Sequence, residues 1–236
     1  MEVRARPPPS GCTLLDSTRV SVLLFARELS AEDTHYRRLA MTQWSITTRP
    51  AVPADASFIL ACTNEAFMAD AFFKTKEHHN RYTLADVQAM LVAPNSNFVV
   101  AEITDHDQHD SARCCGSIYV KWAHHAQTNV VVGQFSSVSV LLEFERRGVG
   151  SHLIQAAELL VATYAKHLSS TPRMEISVVS ARKDLFGFYE RKGYRVTGTP
   201  VESPEFSLML NDTHQHVHLV AMEKVLQLHD EGPAAM

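Results

Sequence analysis

Two hydrophobic periods alternate along this chain from about residue 44 onward. Val138 and Val140 fall on one face of a strand, with Ser137 and Ser139 on the other. Val149, Leu153, Ala157, Leu160 or Val161, and Tyr164 then recur at helical spacing, which predicts an amphipathic helix over 149–167. The same reading predicts further helices at 54–68, 83–92 and 182–192. It predicts strands at 44–50, 97–104, 114–123, 130–140, 174–179, 193–198 and 215–225. Strands mixed with helices and joined partly by hairpins indicate an α/β (α+β layered) architecture with a mixed sheet. Residues 199–213, with Pro200, Pro204 and Asn211-Asp212, read as a loop long enough to act as a lid.

The strand ending at Val140 and the helix opening at Val149 are joined by a turn that contains Glu145-Arg146-Arg147-Gly148-Val149-Gly150-Ser151. Glycines let a backbone approach a ligand closely, and the free N–H groups of a helix N-terminus point at an anion. Arg146 and Arg147 add full charge beside them. The turn is neither of the two common phosphate fingerprints, because it lacks both a third glycine and a Gly-Lys-Ser/Thr ending.

These residues resemble the acyl-CoA-binding motif of the GNAT superfamily, the Gcn5-related N-acetyltransferases. That motif is a strand ending in Val, a bulged turn, then Gln/Arg-x-x-Gly-x-Gly/Ala opening a helix. Here Glu145 stands at the first motif position. Residues 174–194, with Phe188-Tyr189 and Gly193-Tyr194, resemble the family's next strand and helix. Ser180 stands where the family commonly has Asn. Residues 48–56 are similar to the family's first strand and the turn into its first helix, so the likeness spans about 45–226.

The resemblance implies a mostly antiparallel central sheet of about six to seven strands, with one splayed pair and flanking helices. It implies acetyl-CoA as co-substrate, contacted by Val138, Ser139, Val140, Arg146, Arg147, Gly148, Val149, Gly150, Ser151, Ser180, Leu185 and Phe188. It assigns Tyr189 as the general acid that protonates the departing thiolate, a role suited to a phenol protonated at neutral pH. It also implies an acceptor pocket shaped by residues 71–76 and by the 199–213 loop. The general base is not legible; Glu102, Glu175, His124, His125 and ordered water are the candidates.

Composition narrows the function classes. Hydrophobic residues make up 45% and charged residues 20%, ordinary values for a globular chain. The net charge of −4 gives no basic footprint for nucleic acid. No apolar run approaches the roughly 20 residues needed to span a bilayer. Cys12, Cys62, Cys114 and Cys115 form no spaced metal motif and no disulfide framework, and read as reduced thiols of a cytoplasmic protein. His214, His216 and His218 alternate on one strand face, but no carboxylate or Cys cluster completes a metal site. Residues 1–43, with Pro7-Pro8-Pro9, read as a disordered extension, 44–228 as the transferase domain and 229–236 as a tail. Met41 is a candidate alternative start.

Two functions of different class follow. One is acetyl transfer from acetyl-CoA to a primary amine, small-molecule or peptide, by direct attack in a ternary complex in a monomer or homodimer. The other is an acyl-CoA-binding module without turnover, suggested by Glu145 and Ser180. Asp70, Glu202 and Glu205 are candidates to attract a cationic acceptor. A covalent route through a cysteine is the remaining chemical alternative.

Overall fold

A computed structural model describes residues 44–105 and 111–228. The expected extension, with Cys12 and Met41, and the tail lie outside the described residues. Seven strands form one sheet in the order β1-β2-β3-β4-β5-β7-β6. They are β1 (Trp44–Pro50), β2 (Ser96–Asp105), β3 (Ala112–His125), β4 (Val130–Val140), β5 (Thr171–Val179), β6 (Arg195–Val201) and β7 (Leu219–Val225). Every pairing is antiparallel except β4 with β5, which is parallel. The long helix α3 (Val149–His167) makes the crossover that a parallel pair requires.

Helices α1 (Ala56–Phe67) and α2 (Leu84–Leu91) cover one face, and α3 covers the other. The central strands are therefore buried on both sides. Along β2, Phe98 and Val100 pack with Ile59 and Val87 beneath α1 and α2, while Val99, Ala101 and Ile103 belong to the α3 core. A strand covered on both faces reads as a continuous apolar run, which Phe98-Val99-Val100-Ala101 is. Helix α2 starts where its cap lies: Asp86 N donates to Thr83 Oγ1 at 3.2 Å, and Thr83 N donates back to Asp86 Oδ2 at 2.8 Å. Gly116 on β3 seats the first turn of α3, since a Cβ there would stand 2.6 Å from Ser139 O and 3.0 Å from Val149.

Two elements differ from expectation. The 199–213 segment carries the tail of β6 and a short helix, α5 (Pro204–Met209), rather than a plain loop. Its start was signalled locally: Ser203 Oγ accepts Phe206 N at 3.2 Å, and Pro204 fills the first helical position. Strand β7 begins at Leu219 rather than 215, because His214 closes a tight turn in which Val217 N donates to His214 O. Cys62 and Cys115 are free, buried thiols, but Cys114 is disulfide-bonded, contrary to the expectation of four reduced thiols. Among the described residues no helix is long and apolar enough to cross a membrane, and no group of His, Cys, Asp or Glu could hold a metal ion.

Candidate active site

The site follows from where β4 and β5 stop pairing. Their register runs from Val130↔Thr171 to Gln134↔Glu175 and then ends. Yet β4 continues to Val140 and β5 to Val179, so the two strands splay. Main-chain groups of β4 that face β5 beyond Gln134 have no strand partner, and unpaired backbone polar groups invite a ligand. A bulge steepens the departure. Ser117 faces Ser139 while Tyr119 faces Ser136, so β4 carries an extra residue, and Ser137 adopts a left-handed φ of 53°. The resulting cleft encloses about 1930 Å³.

One rim of that cleft is the turn into α3. Gly148 caps the helix at φ 91°, a conformation natural to glycine, and Arg146 is left-handed at φ 60°. Ser151 N and His152 N both return to Gly148 O. The N–H groups of residues 146 to 150 have no acceptor among the described residues. Val138, Val140, Arg146, Gly148, Val149, Gly150 and Ser151 all line the cleft. Lys192, from the end of α4 (Lys183–Arg191), donates to Ser151 Oγ at 2.6 Å and brings a cation to the same helix start. Nothing local in the sequence joins residues 151 and 192; only the packing of α4 against α3 does.

Three predicted contacts are placed elsewhere. Arg147 lies with its guanidinium 4.9 Å from the Trp44 ring centroid and 5.4 Å from that of Phe144, and it does not line the cleft. Consecutive residues in a turn point different ways, and here only Arg146 faces the cleft. Ser139 is fully buried, its hydroxyl donating to Ser137 O and Thr63 Oγ1 beneath α1, which leaves main-chain groups as what it could offer a ligand. Ser180 is committed to the start of β7: its N donates to His218 O, and its Oγ accepts His218 N.

Tyr189 on α4 lines the cleft together with Leu185 and Phe188. Its ring packs on Phe135, Phe188 and Tyr194 at centroid distances of 6.0, 5.2 and 6.0 Å. Its hydroxyl has no hydrogen-bond partner among the described residues. Burial pushes its pKa up to about 12, so the phenol keeps its proton at neutral pH.

The far rim is built from segments distant in sequence. Asp70, Lys74 and Arg81 come from the connection between α1 and α2, Arg182 and Asp184 from the start of α4, and Glu202 and Glu205 from the β6–α5 segment. Asp70 cannot serve as a free anion for a cationic acceptor: its Oδ1 accepts Arg182 Nη1 at 2.8 Å and its Oδ2 faces Lys74 Nζ at 3.6 Å. Main-chain bonds tie this connection to the 199–213 segment: Thr75 N donates to Met209 O at 2.9 Å, and Asn211 N to Phe73 O at 3.0 Å. Residues 71–76 and 199–213 thus meet at the far rim.

The base candidates separate cleanly. Glu102 is held by Arg49 Nε at 2.8 Å and lies outside the cleft. His124 faces Ser170 Oγ at 3.2 Å, and His125 is the last residue of β3, opposite Val130. Glu175 lines the cleft, 2.7 Å from Arg173 at the closed end of the splay. Cys62 is 1% exposed, and burial pushes its thiol up to about 12. Cys115 is fully buried, and burial does the same to its thiol.

Seven strands in this order, opened between their one parallel pair and flanked by helices, are the acyl-CoA N-acyltransferase fold. The chain belongs to the acetyltransferase (GNAT) family, whose sequence model matches residues 62–194. Similar solved structures include a GCN5-related N-acetyltransferase from Kribbella flavida, at 22% identity and TM-score 0.52, covering 77% of this chain and 98% of that one. Another is Arabidopsis thaliana NAA60 in complex with a bisubstrate analogue, at 14% identity and TM-score 0.57, covering 78% of this chain and 100% of that one. A third is the PaiA N-acetyltransferase of Thermoplasma acidophilum in complex with coenzyme A, at 17% identity and TM-score 0.54, covering 77% and 99%. A comparison with curated proteins finds no match.

Proposed function

We propose that residues 44–228 form an N-acetyltransferase domain that moves an acetyl group from acetyl-CoA to a primary amine by direct attack. The observation that carries this reading is the shared cleft: unpaired N–H groups at the start of α3 and the Tyr189 hydroxyl line one opening between the splayed strands. The residues present suit acetyl-CoA. N–H groups of 146–150, with Arg146 and Lys192 nearby, match a pyrophosphate. The apolar wall of Val138, Val140, Leu185 and Phe188 matches the arm that leads from it. When bound, acetyl-CoA supplies the activated acyl group.

The remaining chemistry belongs to the chain. A backbone N–H of β4 near Val140 stabilises charge developing on the thioester oxygen, which is effective because it is fixed and shielded. Tyr189 delivers its proton to the departing sulfur, and the raised pKa keeps that proton available across the physiological range. The acceptor amine loses its proton to water in the cleft. Direct attack is favoured over a cysteine route because Cys62 and Cys115 are buried thiols with raised pKa values, unsuited to forming a thiolate.

The decisive experiment is CoA release measured across an amine panel, with a crystal structure of the CoA complex. Turnover, pyrophosphate on residues 146–151 and sulfur within about 3 Å of the Tyr189 hydroxyl are the expected results. Tight CoA binding without turnover on any amine would instead identify the non-catalytic module. Pyrophosphate bound elsewhere would overturn the site assignment.

A further inference from the structure

The inner corner of the far rim, formed by the α1–α2 connection and the start of α4 and set apart from the exposed Glu202 and Glu205, carries one positive charge more than its own carboxylates match. Lys74, Arg81 and Arg182 supply the cations, and Asp70 and Asp184 the anions. Asp70 is shared between Arg182 and Lys74. Asp184 takes the rest of the Arg182 fork, accepting Nε at 3.0 Å and Nη2 at 2.8 Å. Of the other acidic residues that line the cleft, Glu175 and Glu223 both lie near Arg173, Glu145 belongs to the α3 turn, and Glu202 and Glu205 are exposed on the 199–213 segment. Arg81 is left with no carboxylate partner among the described residues, and its Nε is buried without a hydrogen bond.

Arg81 is also held in place. Asn64 Oδ1 accepts Arg81 N at 2.8 Å and Tyr82 N at 3.0 Å, and Asn64 Nδ2 donates to Tyr82 O at 2.9 Å. The guanidinium stands 5.3 Å from the Phe67 ring centroid and 5.6 Å from that of Tyr82. Tyr82 Oη and Ser137 Oγ are 2.6 Å apart, which anchors this corner to the bulge where β4 leaves β5. Lys74 is its cationic neighbour. Burial pulls the Lys74 ammonium below its usual range despite Asp70, and Arg81 and Arg182 push the same way. A guanidinium with ring walls and a buried, unpaired N–H has lost water without gaining a partner. A ligand carboxylate on the part of the guanidinium that lines the cleft supplies the missing counter-charge, in the planar geometry that a guanidinium favours.

We propose that the acceptor is a small amine that also carries a carboxylate, an amino acid in the broad sense. Arg81 grips the carboxylate, Lys74 contributes the second positive charge, and the amine is left to face the splayed strands. The proposal rests on reading this cleft as an acetyl-transfer site. It disfavours polycationic acceptors, which would bring further positive charge to a corner already in excess of it.

The test is CoA release with free α- and ω-amino acids, each beside its amide and its decarboxylated amine, with spermidine as the polycation. Melting of the protein–CoA complex is followed in parallel with the N-acetylated acids and their amides. At least one acid is expected to exceed its amide in kcat/KM by about 10- to 100-fold, the scale of one charge-assisted hydrogen bond. Arg81→Gln should reduce that ratio to about one, and Arg81→Lys should restore part of it. The main-chain clamp by Asn64 is retained in both variants, and CoA binding serves as the check on folding. Amides, decarboxylated amines or spermidine used as well as the acids, or a ratio that survives Arg81→Gln, would overturn the proposal. So would the absence of both turnover and a melting shift with every acid; CoA binding and turnover of other amines in the same samples would leave the acetyl-transfer reading standing. Conversely, acid-selective melting with no CoA release from any acceptor would retain the carboxylate site and remove the acetyl-transfer reading.

Discussion

The two ends of the cleft are built by different means. At the donor end, the contacts come from one continuous stretch, the turn over 145–151, and consist mostly of main-chain N–H groups made available by a helix start. At the far end they are side-chain charges gathered from the α1–α2 connection and the start of α4, such as Asp70 and Arg182, which are 112 residues apart. Main-chain recognition constrains which conformation the turn adopts and little about its neighbours' identities. Side-chain recognition depends on which charges meet. On the proposed reading the donor end should therefore tolerate Glu145 in place of Gln or Arg, whereas one substitution at the acceptor end changes the charge balance.

The largest expected effect is at the acceptor end. Asp70→Ala removes the carboxylate between Lys74 and Arg182, whose side chains are 4% and 22% exposed. Arg182 keeps Asp184, but leaving the buried Lys74 charge unpaired costs roughly 3–5 kcal/mol, readable as a lower urea midpoint. A loss below about 1 kcal/mol would show that the cluster is solvated and that the contrast between the ends is overstated.

Between the two ends, Tyr189→Phe removes only the hydroxyl. It should lower kcat about 100-fold, or about 2.7 kcal/mol, with the acetyl-CoA dissociation constant within about twofold of wild type. Unchanged kcat would remove Tyr189 from the chemistry and leave it as packing for Phe135 and Tyr194.

The donor end is sharpened by a pair of glycines. Gly148→Ala places a Cβ at φ 91° and should cost about 1–2 kcal/mol of stability. Gly150→Ala meets protein atoms only at 3.9–4.0 Å, which is ordinary contact, so the protein accommodates it. Its expected effect is a rise of about tenfold in the acetyl-CoA dissociation constant with an almost unchanged melting temperature, because the added methyl sits where a ligand backbone contact is expected. If both variants lose stability and neither loses affinity, the turn is merely a tight turn.

Alkaline titration gives a smaller and more distributed effect. Tyr189, Cys62 and Cys115 each have a folded pKa of about 12, above the values of about 10 for a free phenol and 8.5 for a free thiol. The unfolded chain therefore releases these protons first. Their contribution to stability is fully present below the unfolded values and is lost as pH rises from about 9 towards 12. Melting temperature should fall across that window, and Cys62→Ala should flatten its lower part. The least effect is expected at Arg147→Gln, which should change acetyl-CoA affinity less than about twofold while losing about 0.5–1 kcal/mol of cation–π stacking on Trp44 and Phe144. Arg146→Gln should weaken acetyl-CoA binding several-fold, as expected for a partly screened charge contact with phosphate.

Local chemistry made much of this molecule readable in advance. The helix over 149–167, the strand over 130–140 and the Gly148–Gly150 turn rest on periodicity and on backbone freedom, which neighbours in sequence dictate. Tyr189, which lines the cleft, could be singled out because the motif around it is short and contiguous. Signals for α5 are also present in Ser203-Pro204, although the prolines and Asn211-Asp212 of 199–213 suggest a loop. The tertiary structure alone decided which of two adjacent arginines faces the cleft, that Ser139 and Ser180 turn their hydroxyls elsewhere, and that Lys192 joins Ser151. It also decided that Asp70 is neutralised while Arg81 is not. The physical reason is range: backbone propensities and caps act over a few residues, whereas charge pairing and side-chain direction depend on elements that only the folded sheet brings together.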